Sequence, residues 1–510
     1  VKAALQRWLT RPAYTLTIKP GERTEDGARL GGWGDEATRP SPKPDPKTPV
    51  APIHLVKRQA PPVTAVNDLT FPAVEHAKLS NGIEVDLARR TAIPKVSLAL
   101  TFDAGNAADD PAHAGVQSLM LDTLKEGTAT RSAEQIAEEQ ERLGASIATG
   151  SNTDSSQVSM TALTANLAPS LELMAEVVRH PKFADADVAR AKNQRLADIA
   201  QEQADPNGLA LRAIRPLIYG TQHPYGSVGG SGKAAVIEAL SPADLRAEHD
   251  KWLRPDLARV TVVGDTTMAD LLPKLEAAFG DWKAPASPAP VKRIDGPIPA
   301  PKPRLVVIDR PNSPQSVLIF GRVLPLNGSG TGQDALELAN DVLGNDFLSR
   351  LNSDLREEKG WTYGIGSSLF QVRGPRGFVV NTAVQSDRTA DSIRLIEQDM
   401  KAFPATKGVD PVELQRVIEG NIRQLPGNFE TNGQVLGALL DNQRLGRPYD
   451  YQARLPGLYR ALDAKAIDAA AAQYLQPDQM VIVVVGDRKL IDDQLKGLGM
   501  PIEYMKAEDL

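Results

Sequence analysis

Hydrophobic positions along this chain fall into two blocks of strand and helix patterning, separated by proline-dense stretches. In the first block, short apolar runs at 82–87 and 96–102 predict strands of a meander. Helical spacing follows at 112–126, and again at 132–143, where Ser132 is the N-cap and Glu134 and Gln135 occupy the first turn. Longer amphipathic helices are predicted at 167–180 and 185–203. Ser241-Pro242-Ala243-Asp244 opens another helix, with serine as cap and proline at the first position. The second block predicts strands at 304–309 and 316–323, then helices at 333–344 and 347–358. Strands within 363–384 and helices at 388–403 and 409–422 follow. Strands and helices cluster instead of alternating, which predicts an α+β fold of antiparallel sheets flanked by helices.

The two blocks repeat one another. K-W-L-R-P-D-L-A-R-V-T-V-V-G-D at 251–265 matches Q-Y-L-Q-P-D-Q-M-V-I-V-V-V-G-D at 473–487. Each reads as a helix end, a Pro-Asp turn, a β-branched strand and a Gly-Asp stop. A Pro-Tyr turn precedes each, His223-Pro224-Tyr225-Gly226 in the first and Arg447-Pro448-Tyr449 in the second. Two tandem copies of one domain, at 71–283 and 304–510, are the simplest account. A third copy of the helix–turn–strand pattern stands at 1–21, where Gln6 to Gly21 reads Q-R-W-L-T-R-P-A-Y-T-L-T-I-K-P-G. It is expected to be a lone terminal element or the last strand of a preceding or partner half. Residues 22–70 and 284–303 are proline-dense linkers without apolar periodicity, expected to be extended and solvated.

Composition narrows the function classes. At 510 residues the chain exceeds one ordinary core. A net charge of −6 without a basic stripe argues against nucleic acid as a partner. No apolar run approaches a membrane span. With no cysteine there is no disulfide, thiolate ligand or thiol nucleophile. The chain begins with Val1, which admits a removed upstream segment, and either a periplasmic or a cytoplasmic setting agrees with these features. Gly328, Gly330 and Gly332 lack the lysine and spacing of a phosphate-binding loop.

Five segments stand out: Leu79-Ser80-Asn81-Gly82-Ile83, Val96-Ser97-Leu98, Ala104-Gly105-Asn106, the His-Pro-Tyr-Gly turn and the Trp-Leu-Arg-Pro-Asp element. In order and spacing they resemble the pitrilysin-like zinc metallopeptidases, which include the mitochondrial processing peptidases. The run S-R-L-N-S-D-L-R-E-E-K-G-W-T-Y at 349–363 belongs with them, and the resemblance extends over about 75–490. It implies a half-clamshell of two homologous domains. It also implies an inverted H-x-x-E-H zinc motif on the helix before Glu126, with a distal glutamate some seventy residues on. Here that helix carries Ser118, Leu121 and Asp122 at the His, Glu and His positions, and the distal position falls near Ala197 or Asp198. None of the six histidines forms an i, i+4 pair. No zinc and no hydrolysis by this chain alone are therefore expected.

The resemblance assigns catalytic work to Arg356 and Tyr363. The arginine would anchor the peptide and the phenol would hydrogen-bond the developing oxyanion. On that reading the chain is the non-zinc subunit of a heterodimeric metallopeptidase. Zinc would sit in a homologous partner subunit, and peptides would be the substrates. An inert structural subunit of the same fold, and a peptidase with an unrecognised metal site, are the rivals.

Overall fold

The structure, a computed structural model, describes residues 1–17 and 69–510. The chain divides between Ala65 and Val66 into two units. In the first, a helix spans Lys2–Leu9 and no residue of it is buried. Thr10 Oγ1 donates to the Gln6 carbonyl 2.5 Å away at its C-terminal end. The strand expected in this element does not form over residues 12–17, which have no regular structure. The remainder of that element, and the linker as far as residue 68, lie outside the described residues.

In the second unit, two six-stranded sheets carry the fold. The first contains β1 (Val74–Lys78), β2 (Glu84–Arg89), β3 (Lys95–Phe102), β4 (Ser146–Ser151), β5 (Ser156–Leu163) and β6 (Ala258–Gly264), in the order β1-β2-β6-β3-β5-β4. The second contains β7 (Arg304–Asp309), β8 (Gln315–Asn327), β9 (Thr362–Leu369), β10 (Pro375–Gln385), β11 (Val481–Gly486) and β12 (Ile502–Met505), in the order β12-β7-β11-β8-β10-β9. Five strands thus recur in the same order, with β6 and β11 in the same slot. This is the internal repeat seen in the sequence. The sheets are mixed, not purely antiparallel as expected. β6 returns parallel to β2, and β11 parallel to β7, because each arrives through a long helical excursion instead of a hairpin.

β6 and β11 read as continuous apolar runs because both faces of each are covered. One face packs on the domain's own helices. The other is covered by a helix from the opposite domain. Leu209, Ala213, Ile214 and Ile218 of helix Pro206–Tyr219 pack under Val317 and Ile319 of β8 and Val483 and Val485 of β11. Reciprocally, Val435, Leu436 and Leu439 of helix Asn432–Leu445 cover Ala88, Ala99 and Val263 of the first sheet. The approach is close. A Cβ at Gly321 would lie 2.5 Å from Ile214 Cδ1.

The two Pro-Tyr turns fasten the same seam. Tyr225 Oη donates to Asp154 Oδ1 at 2.5 Å and accepts from Gly374 N–H at 3.0 Å, in the second domain. Tyr449 Oη donates to Asp86 Oδ2 at 2.8 Å, in the first domain. Asp86, nearly fully buried, also takes His76 at 2.6 Å and Gln443 Nε2 at 2.8 Å.

The expected helix at 112–126 is shorter, running Val116–Thr123 after a single turn at Pro111–His113. The helix expected at 347–358 is α-helical only over Arg350–Asn352 and continues as a π-helical turn, Ser353–Glu358. Such turns relieve a mismatch between helix repeat and side-chain placement and often occur at functional positions.

Candidate functional site

Helix Val116–Thr123 begins at Gly115, in the left-handed region at φ +102°, where Asp109 accepts both Gly115 N–H (2.6 Å) and Gln117 N–H (3.0 Å). The helix places Ser118 and Asp122 one turn apart. Ser118 Oγ donates to Gly115 O at 3.1 Å and to Gly230 O. Leu121 is fully buried in the first domain's apolar core. Asp122 is ion-paired with Arg195, whose Nη1 also donates to Gly230 O at 3.2 Å. Asp198, exposed one turn further along the helix Asp185–Ala204, accepts only Gln194 Nε2, at 2.9 Å.

This donor set does not fit a zinc ion. One carboxylate is matched by a guanidinium, one position is a core leucine, and the remaining donors are a hydroxyl and an exposed carboxylate. No group of three or more His, Cys, Asp or Glu among the described residues could hold a metal. Arg195 is the residue the sequence reading missed. It stands one helical turn before Asp198 and pairs with Asp122, 73 residues away, so no local spacing signalled it.

The second domain presents the other pair. The π-helical turn ends at Gly360, in the left-handed region at φ +64°, where Gly360 N–H reaches Arg356 O at 3.1 Å. Trp361 N–H then bonds Leu355 O at 3.1 Å and the chain enters β9. β9 is the edge strand of its sheet, so its outer N–H and C=O groups are unpaired within the sheet. Tyr363, its second residue, is 92 % exposed. Arg356 stacks over the Phe347 ring at 4.8 Å. Its Nη1 lies 2.9 Å from Glu357 Oε1 but in an orientation that forms no hydrogen bond. Phe347 and Leu348 are both more than half exposed beside it. Arg356 and Tyr363 both lie in the second domain, the arginine in the π-helical turn and the tyrosine in β9. Ser118 and Asp122 lie in the first domain.

Under the same turn, Asp354 and Asp399 are neighbouring carboxyls. Burial, then the repulsion of Asp354 and a hydrogen bond with it, push Asp399 up to about 7, against Lys407 and Arg350. Elsewhere, a cleft of about 390 Å³ at the domain seam is lined by Asp103, Asp154, Arg259, Arg373, Asp441 and Arg444. Its charges pair internally, as in Arg373–Asp103 (3.3 Å) and Arg444–Asp441 (2.6 Å).

Residues 85–223 match the family model described as insulinase (peptidase family M16), and residues 239–421 match that of the peptidase M16 inactive domain. The chain belongs to the peptidase M16 family. An uncharacterized zinc protease of Mycobacterium tuberculosis is 24 % identical over 383 residues, covering 74 % of this chain and 82 % of the relative. The crystal structure of a peptidase M16 inactive domain from Pseudomonas fluorescens superposes with a TM-score of 0.73 at 27 % identity, over 81 % of this chain and 98 % of that one. The periplasmic protease PqqL of Escherichia coli shares the fold, with a TM-score of 0.69 at 16 % identity. That likeness covers 85 % of this M16 chain but only 49 % of PqqL. No helix among the described residues is long and apolar enough to cross a membrane.

Proposed function

We propose that this M16 chain is the non-zinc half of a split peptidase. It supplies Arg356 and Tyr363 to a peptide held at the zinc of a homologous partner half. The single observation that carries this reading is the phenol of Tyr363, almost wholly exposed at the start of an edge strand, seven residues after Arg356 in the chain. A tyrosine kept only for packing would bury its ring. The open edge of β9 can take an extended peptide by main-chain hydrogen bonding. Arg356 would then hold the peptide, and Tyr363 would donate to the oxyanion as it forms. One such donor is worth roughly 3–4 kcal/mol in the transition state. The Arg195–Asp122 pair supports the assignment of zinc to the partner, since a fixed cation stands where the metal would.

The test is a peptidase assay on the assembled pair. Tyr363→Phe and Arg356→Ala should each lower kcat by about 10²–10³ without lowering the amount of complex recovered. Unchanged kcat in both would favour the second reading, an inert structural subunit of the same fold. The mispaired ion-pair geometry at Arg356–Glu357 is the observation on that side, since it gives the guanidinium a local partner.

A further inference from the structure

The helix and proline turn that lead into the central strand of each sheet have a third counterpart in residues 1–17, where no strand forms among the described residues. In the first domain the module is helix Pro242–Trp252, a turn at Pro255–Leu257, then β6. In the second it is helix Ala464–Tyr474, a turn at Pro477–Gln479, then β11. At the N-terminal end it is helix Lys2–Leu9, Pro12, and the residues that follow, with the turn one residue longer. The aromatic–leucine step at the helix end is common to all three: Trp252-Leu253, Tyr474-Leu475 and Trp8-Leu9.

Their surroundings differ. Trp252 and Leu253 are 3 % and 2 % exposed, and Tyr474 and Leu475 are 8 % and 1 % exposed. Trp8 and Leu9 are 58 % and 76 % exposed, and Tyr14 and Leu16 are exposed after them. Arg7 and Arg11 lie over the Trp8 ring at 5.5 and 4.2 Å, a partial cover for an indole that its counterparts bury in a core. The second domain has its full set of equivalent strands, and so does the first. Neither has a vacant central slot for another copy.

We infer that residues 1–17 close the sheet of a third domain of this fold, in the zinc-bearing half. Residues 13–17 would run parallel to that domain's first long strand and antiparallel to its second, as β6 and β11 do. Trp8 and Leu9 would fill the place of Trp252 and Leu253. This module is then a main-chain graft onto a zinc half that is a separate polypeptide. The inference rests on the split-peptidase reading, and names how the halves are held.

The experiment places a photo-cross-linking residue at Leu16 in the full chain, in cells that make it. Cross-links to a segment carrying H-x-x-E-H, on the strands equivalent to β2 and β3, are expected. Cross-links confined to residues 69–510, or to a second copy of this chain, overturn the inference. Leu16→Asp with Trp8→Ser should reduce recovered complex by about tenfold or more, which corresponds to ~1.4 kcal/mol of association. Normal recovery of that variant, with kcat still lost in Tyr363→Phe, sinks this inference alone. The expected cross-links with kcat intact in Tyr363→Phe and Arg356→Ala support it and sink the catalytic reading instead.

Discussion

Replacing Tyr225 with phenylalanine removes one oxygen from the seam between the domains. That oxygen donates to Asp154 Oδ1 at 2.5 Å and accepts from Gly374 N–H at 3.0 Å. Asp154 keeps Arg373 N–H at 2.7 Å and Arg444 at 3.7 Å, so its carboxylate is weakened but not stripped. Loss of the bond to a charged group costs about 1.5–3 kcal/mol, and the orphaned, buried Gly374 N–H adds about 1–3 kcal/mol. The ring itself stays, packed against Tyr219 (5.6 Å) and His223 (5.2 Å), so no cavity term enters. A net loss of roughly 3 kcal/mol is expected. Urea unfolding followed by fluorine NMR on 5-fluorotryptophan reads both halves at once. Trp252 and Trp282 report on the first domain and Trp361 on the second. All three resonances should move to a lower midpoint together. A loss below about 1 kcal/mol refutes the estimate, and a shift confined to Trp252 and Trp282 refutes the role of Tyr225 as a weld.

Gly321→Ala should destabilise by about 1–2 kcal/mol in the same assay, because Ile214 must leave its place against β8. Asp399 binds its proton more tightly in the folded chain, about 7 against 3.8, so its contribution to stability is full below pH 4 and is lost as pH rises to 7. Asp399→Asn should therefore flatten that slope and stabilise the chain at pH 8 by roughly 1–2 kcal/mol after allowance for solvent screening, measured by chemical unfolding across pH. Arg195→Ala frees the Asp122 carboxylate and should lower stability by less than about 1 kcal/mol, since Asp122 is half exposed. A chelator should leave the melting temperature of the purified chain within about 1 °C, and a larger fall would reveal a metal that stabilises the fold.

Much of the architecture was legible because it repeats. The Pro-Asp turns before β6 and β11 carry their own punctuation, and the Pro-Tyr turns mark the seam. Ser132 and Ser241 announce their helices by capping boxes, both of which form. Helix Pro206–Tyr219 was not legible, since Gly208 and Pro216 interrupt its pattern and its apolar face is satisfied only by the other domain's sheet. β4 was missed because Ser146–Ser151 is an edge strand with one buried position and no clear alternation. The π-helical turn at Ser353–Glu358 has the composition of an α-helix, and only its hydrogen bonds set it apart. The blank at Ser118, Leu121 and Asp122 could be read from residue types alone. That Arg195 fills it could not, because the pairing joins residues 73 apart.

The exchanged helices bear on how this protein is made. Helix Pro206–Tyr219 leaves the ribosome long before its cover, β11, at 481–486, has been synthesised. At about 5–20 residues per second, the apolar face carrying Leu209, Ile214 and Ile218 stays unmatched for tens of seconds. Folding must therefore wait on contacts of very long sequence separation, which slows it and leaves the nascent chain open to aggregation. Neither domain expressed alone would escape this, since each would keep an orphaned helix and a bare sheet face. The chain is one cooperative unit in biosynthesis even though it is two repeats in sequence.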